Sequence, residues 1–355
     1  MASVKEALSL TLREVDPVRS SEWASLVAKN PSTVFHSPQW MEVIEKTYGL
    51  DFSALVLESD GQPVAGAAWS EVSDLLGTRR ISLPFSDLGD LIVSGPDDAA
   101  LLIDLILSAG TPWSLRTFAR NKPIIDLPVK TKADYKWHGV RLDEAQQVLW
   151  DRMSSMAQRG IRKAERGGVE VVTASTQGQL REWFLLHMRL RREKFALLAQ
   201  PYDFMKNIWD TFMARDQGFL LLATHQGRII AGTLFLMWKD TCYYKFNASE
   251  GASLELRPNN LLMWQGMLEA KQRGAKLLDL GRSSSHQEGL LGFKRGFGAI
   301  EEDLLTLTYN APVDEPKEVA DNRTLFKDLT GLFVDASVPE STTERAGSLL
   351  YKYFV

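Results

Sequence analysis

The sequence predicts an α/β (α+β) protein of two tandem domains, each a mixed, twisted sheet flanked by helices, with a helical C-terminal tail. Three observations carry this. At 355 residues the chain is longer than one hydrophobic core commonly spans. An apolar–turn–apolar pattern occurs twice, from Phe52 through Gly61 to Gly66 and from Phe219 through Gly227 to Gly232. At a constant offset of 166 residues, Leu55 meets Leu221, Gly61 meets Gly227, Val64 meets Ile230, and Ala65-Gly66 meets Ala231-Gly232. The flanks also agree: a helical segment precedes each pattern, and a strand and a second helix follow it.

Each repeated pattern reads as a β-hairpin, because a glycine-containing turn joins two apolar runs. The preceding helices are expected at Gln39 to Tyr48 and at Tyr202 to Ala214. The following strands are expected at Ile81 to Val93 and Thr241 to Ala248, and the following helices at Asp97 to Ser108 and Asn259 to Arg273. A short strand at Gly139 to Leu142 gives way to helices, which puts the boundary near Asp143 to Asp151. The expected domains are therefore 1–145, 146–311 and a tail, 312–355. Pro312, Asp314, Glu315, Pro316 and Lys317 read as a linker, and the tail as one or two helices docked on the body. A peripheral membrane or protein contact through its apolar positions is the alternative.

Composition narrows the setting. A single Cys242 excludes an internal disulfide, which favours a reducing compartment. The N-terminus has no basic head followed by an apolar core. The most apolar stretch, Gly218 to Trp238, is interrupted by His225, Gln226 and Arg228, so no integral membrane segment is expected. The expected location is the cytoplasm, with peripheral membrane attachment as the variant. The net charge of −4 is uneven: Arg152 to Lys194 holds ten Lys/Arg against four Asp/Glu. That local excess suits an anionic partner.

The groups that could carry chemistry lie in the second domain. Arg159, Arg162, Lys163 and Arg166 fall at i, i+3, i+4 and i+7 and share one helix face. Such a row suits a pyrophosphate or a polynucleotide backbone, or it simply faces solvent. On the next helix, Leu180 to Phe195, His187 and Arg191 are four apart; the histidine is a general base or a structural group. Arg257, Asn259 and Asn260 open the helix that follows, where Asn259 either caps it or binds a ligand. Asp279, Arg282 and Ser283 close a buried strand, as a salt bridge or as groups at the mouth of a sheet. Ser283 to Ser285 and His286 form no nucleophile triad, and the five histidines are too scattered for a metal cluster. Lys294 sits between Phe293 and Phe297 in an apolar helix, where a solvated role is disfavoured.

The run Arg257-Pro258-Asn259 before a long helix, Asp279-Leu280-Gly281-Arg282-Ser283 after a strand, and Gly289-Leu290-Leu291-Gly292-Phe293-Lys294-Arg295-Gly296-Phe297-Gly298 resemble the FemAB-like (peptidoglycan bridge-type) branch of the GNAT acyltransferase superfamily. Arg159 to Val169 and the histidine–arginine pattern from His187 are similar to further segments of that branch. The resemblance runs from Phe35-His36-Ser37-Pro38-Gln39-Trp40 to Tyr309 and is dense after Arg159. It implies two GNAT-like halves. It also implies phosphate binding by a basic residue of the Arg159–Arg162 segment, and an active-site Lys294 that stabilises an oxyanion or an acyl carbonyl. The cell-wall enzymes carry a lysine just after the tryptophan of their Gln-x-x-x-Trp segment, whereas here Trp40 is followed by Met41 and Glu42.

The function expected is therefore amide-forming acyl or aminoacyl transfer to an amine of a cell-envelope or related precursor. Its acceptor would be a small-molecule or lipid-linked compound with an anionic group. No bound cofactor is expected, and the donor would be aminoacyl-tRNA or an acyl thioester. Acyl-CoA is the less favoured thioester. Its glycine-rich pyrophosphate loop is replaced by Asn260-Leu261-Leu262 in the second half and by Asp97-Asp98 in the first. The rivals are a coenzyme-A-dependent N-acyltransferase on an amino sugar or lipid-linked precursor, and a non-catalytic module that binds an anionic ligand.

Overall fold

The computed structural model of the chain describes residues 10–93, 95–121, 129–312, 314 and 316–354. Glu315 of the expected linker lies outside them. Two compact units result: residues up to 133 with 304–319, and residues 134–303 with 320–354.

In the first unit the strand order is β1 (Leu10–Val15), β2 (Ser53–Ser59), β3 (Gln62–Asp74), β4 (Gly77–Ile81), β5 (Trp113–Phe118), then the last part of β12 (Ile300–Tyr309). All neighbours are antiparallel except β4 and β5. Helices α1 (Ser21–Lys29), α2 (Pro38–Tyr48) and α3 (Pro96–Ser108) belong to this unit. The strand expected from Ile81 to Val93 does not form. After Ile81 the chain takes left-handed conformations at Leu83 and Phe85, around Pro84, and only Ile92 returns to bridge Gly66. Proline cannot donate to a ladder, which is why the apolar run does not extend the strand.

In the second unit the order is β6 (Lys130–Arg141), β11 (Leu277–Ser284), β10 (Thr241–Ser249), β9 (Arg228–Trp238), β8 (Gly218–His225) and β7 (Glu170–Thr173). Only β10 and β11 are parallel. Its helices are α4 (Gln146–Arg152), α5 (Ser155–Arg166), α6 (Gln177–Phe195), α7 (Tyr202–Phe212), α8 (Pro258–Gln272), α9 (Glu288–Gly296), α10 (Lys317–Val334) and α11 (Glu340–Leu350). The expected boundary near Asp143 to Asp151 falls inside this unit, because β6, longer than the four residues expected, enters its sheet. A core of Val140, Ile161, Phe235, Leu262, Met267, Leu278 and Phe297 joins this sheet to α5, α8 and α9. Helix α8 approaches very closely: a Cβ on Gly266 would lie 2.3 Å from the Phe235 ring.

The two hairpins repeat in detail. Asp60-Gly61 and Gln226-Gly227 both have positive φ at the two turn residues, as a tight primed turn requires. The register shifts between Leu57 and Glu58 in one and between Ala223 and Thr224 in the other, positions again 166 residues apart. Gly66 lies against Trp23, and Gly232 against Trp183. Chance similarity of two apolar–glycine strings would not reproduce turn, bulge and packing together.

The tail helices dock as expected, around Leu198, Val334 and Ala346. They also neutralise α6: Arg181 pairs with Glu344, Arg189 with Glu340, and Arg192 donates to the carbonyls of Asp335 and Val338. Two of the ten cations counted from Arg152 to Lys194 are thus paired with tail carboxylates.

Candidate active site

Parallel strands β10 and β11 pair only over Thr241–Tyr243 with Leu277–Asp279. Strand β10 continues to Ser249 and β11 to Ser284 without further mutual pairing, so the strands part at their carboxyl ends. An opening of this kind in a sheet is where α/β proteins admit ligands. Both strands are irregular there. Strand β10 shifts register against β9 between Tyr244 and Phe246, and β11 shifts against β6 between Asp279 and Arg282. Bulges of this kind re-aim backbone groups and side chains.

The β11 bulge turns on Gly281, whose φ of 65° is left-handed. Its N–H donates to Asp279 Oδ1 at 2.6 Å, and its carbonyl accepts from Lys294 Nζ at 2.9 Å. Asp279 is buried, and Arg282 stacks over the Tyr135 ring at 4.6 Å. Through its bond to the Gly281 N–H the aspartate fixes the bulge. Ser283 is buried, with its hydroxyl lacking any hydrogen-bond partner among the described residues.

Lys294 lies on α9 and is only 3% exposed. A lysine is almost never so buried without a charge-matched role. Nearby, His138 of β6 is fully buried, with Nε2 3.0 Å from Glu301 Oε2. Burial and then the charge of Lys294 hold its imidazole down to about 4, so it is neutral near pH 7. Burial alone would raise Glu301, but its bonds to Arg295 and His138 outweigh that and keep it below the usual carboxylate range. Sequence reasoning missed His138 and Glu301, since 163 residues separate them and no spacing marks the pair.

Helix α8 begins at Pro258, with left-handed Arg257 as its exposed cap residue. Asn259 is not the cap: it lies inside the first turn, donates to Ser249 Oγ at 3.1 Å and accepts from Asn247 at 3.3 Å. Asn260 abuts Gly160 of α5, where an added Cβ would come within 2.7 Å. At Asn260 the first turn of α8 thus packs against α5.

On α5, Arg159, Arg162, Lys163 and Arg166 are all exposed, and none has an ion pair among the described residues. Arg162 stacks over Trp150 at 5.2 Å. Arg191, by contrast, donates to the Leu198 carbonyl at 2.9 Å and lies over Tyr351, so its guanidinium is engaged within the fold. His187 is buried, bonded through Nε2 to Gln200 at 3.0 Å, and pushed down to about 4 by burial. That is the structural alternative raised for it.

Residues 152–295, which lie within the second unit, match the family model described as an acetyltransferase (GNAT) domain. The fold is similar to that of FemX, at 15% identity and a TM-score of 0.66, over 87% of this chain and 98% of that one. It is also similar to a tandem GNAT protein from the clavulanic acid biosynthesis pathway, at 10% identity and a TM-score of 0.55, over 86% and 100% of the two chains. A third likeness is to L-PGS from Bacillus licheniformis, at 11% identity and a TM-score of 0.50, over 75% and 86%. Among curated proteins no sequence match was found.

Proposed function

We propose that this protein is an amide-forming N-acyltransferase that moves an aminoacyl or acyl group onto the amine of an anionic, envelope-type precursor. The observation that carries the reading is Lys294: a buried ammonium, aimed at the Gly281 bulge where β10 and β11 part. The amine nitrogen attacks the acyl carbonyl, and the C–N bond forms as the carbonyl electrons move onto oxygen. Lys294 stabilises that oxygen in a site where water would otherwise weaken the interaction. The intermediate collapses with loss of the donor's leaving group, and the nitrogen sheds its proton to a substrate phosphate. The uncompensated row Arg159, Arg162, Lys163 and Arg166, with Arg257, supplies the charge to hold such a phosphate.

Aminoacyl-tRNA, the donor class that bridge-type enzymes imply, or an acyl thioester other than acyl-CoA, fits the helix start best. The first turn of α8 meets Gly160 through Asn260, and Leu262 is fully buried. Close backbone approach by a pyrophosphate is therefore hindered at the point where a glycine-rich loop would admit it. The test is a screen of isotope-labelled donors (charged tRNA, acyl carrier protein and acyl-CoA) against amine acceptors with and without phosphate. Labelled amide formed from charged tRNA or acyl carrier protein supports the reading. Transfer from acyl-CoA alone would replace it with the coenzyme-A-dependent rival, and no transfer from any donor would leave a non-catalytic module.

A further inference from the structure

We propose that the exposed face of α5 is a docking surface for a bilayer that bears anionic lipids, so that the protein meets its acceptor at a lipid surface. The inference rests on the reading of an anionic, envelope-type acceptor and deepens it: the phosphate that the α5 row holds lies in a headgroup layer. Arg159, Arg162, Lys163 and Arg166 are all exposed, and none has a hydrogen bond or ion pair among the described residues. Helix α6 differs, since the tail glutamates Glu344 and Glu340 pair with its Arg181 and Arg189. Charge is answered within the fold on α6 and left outward on α5.

A helix turns about 100° per residue, so Ser155, Met156 and the four cations fall within an arc of about 120°. Ala157, Gly160, Ile161 and Ala164, all buried, take the other side. Glu165 is the one carboxylate of α5 and falls outside the cationic arc. From Arg159 to Arg166 the row covers about 10 Å of helix. One phosphate group cannot reach all four cations, whereas a layer of headgroups meets them together.

Met156 decides between kinds of polyanion. It shares the cationic face and is 75% exposed. A thioether gains nothing from a nucleic-acid backbone, but at a bilayer it can enter the acyl boundary while the cations stay with the phosphates. Trp150, over which Arg162 stacks at 5.2 Å, is of a residue type enriched at that boundary. The turn Gly251–Leu256 adjoins α5, since a Cβ on Gly167 would lie 3.4 Å from Leu256. That turn adds exposed Leu254, and exposed Arg257 follows it. Together α5 and residues 251–257 expose five cations, the four of the row and Arg257, against two carboxylates, Glu165 and Glu255.

The test is flotation of the full chain with vesicles of equimolar phosphatidylcholine and phosphatidylglycerol, against vesicles of phosphatidylcholine alone. Wild type should float with the anionic vesicles and not with the neutral ones, and less as salt rises. Arg159→Ala with Arg162→Ala should lower the partition about 25-fold, at about fivefold per cation. Met156→Asp should lower it severalfold, and both variants should keep the wild-type melting temperature. Leu332→Asp, at a tail position 67% exposed, should float like wild type. Loss of flotation in Leu332→Asp with normal flotation of the α5 variants would move the contact to the tail and overturn the proposal. So would a wild type that floats no better than its α5 variants, or one that binds single-stranded RNA and ignores anionic vesicles. Flotation needs no turnover, so Lys294→Met should float like wild type, and a failed docking surface is told apart from a failed catalytic reading.

Discussion

Lys294 concentrates two features that seldom coincide: near-complete burial and a bond to the backbone carbonyl at the bulge of a strand end. A cation fixed there needs no reorganisation when negative charge develops on a neighbouring oxygen. Ser283 is the second residue of this kind, buried with an unbonded hydroxyl. Because Ser283→Ala removes no hydrogen bond within the protein, unfolding stability should change by less than about 0.5 kcal/mol. KM for the substrate should rise several-fold if the hydroxyl binds it; an unchanged KM would exclude Ser283 from the site. At this scale the motif that singles out Lys294 was legible, since Phe293-Lys294-Arg295-Gly296-Phe297-Gly298 is contiguous. His138 and Glu301 were not, because their meaning depends on a pairing that only the folded sheet creates. The surroundings of Arg191 were not legible either: periodicity gives the face of a helix, not what will pack on it, and Leu198 and Tyr351 meet Arg191 there.

Among the elements, α5 and α6 look alike in sequence and differ in role. The tail carboxylates Glu340 and Glu344 answer α6, while α5 keeps its cations unpaired. Arg159→Ala with Arg162→Ala should therefore weaken binding of an anionic substrate without lowering the melting temperature, and wild-type affinity should fall as salt rises. Equal affinity in the double variant across salt concentrations would make α5 plain surface. Helix α8 tests the packing account. A Cβ at Gly266 would meet the Phe235 ring, which is stacked on Phe219 and in edge contact with Tyr244. The ring has little room to yield, so Gly266→Ala should destabilise by roughly 1–3 kcal/mol in urea unfolding despite alanine's better helix propensity. A stabilised variant would mean the helix can lift from the sheet. The repeated hairpins were legible because turn chemistry and apolar alternation are local. The segment after Ile81 was not, because an apolar run says nothing of whether its backbone finds a ladder.

For the whole molecule, the buried ionisable groups of the two units respond to acid in opposite directions. In the second unit His138 and His187 both fall to about 4 from 6.5. Between those values the unfolded chain binds more protons, so stability present at pH 7 is lost as pH falls through this window. Each histidine contributes on the order of 3 kcal/mol at full effect. In the first unit Asp90 is raised to about 6 from 3.8, burial outweighing its bonds from Thr117, Leu91 and Asn121. The folded state there binds the extra proton, so its contribution is greatest below pH 4 and is lost as pH rises through 6. Hydrogen exchange at pH 7 and pH 5 should show protection falling in the second unit relative to the first; a parallel change in both would contradict these burial effects. The duplication was visible in the sequence, but the division of the chain was not contiguous as expected, because β12 supplies residues to both units. The most direct test of the central claim is a single-turnover comparison of wild type with Lys294→Met, using exposed Lys276→Met as the control, on a donor–acceptor pair found by the labelled screen. The rate of amide formation should fall on the order of a hundredfold to a thousandfold in Lys294→Met, with acceptor affinity and melting temperature little changed. A folded Lys294→Met protein that forms product at the wild-type rate would contradict the account.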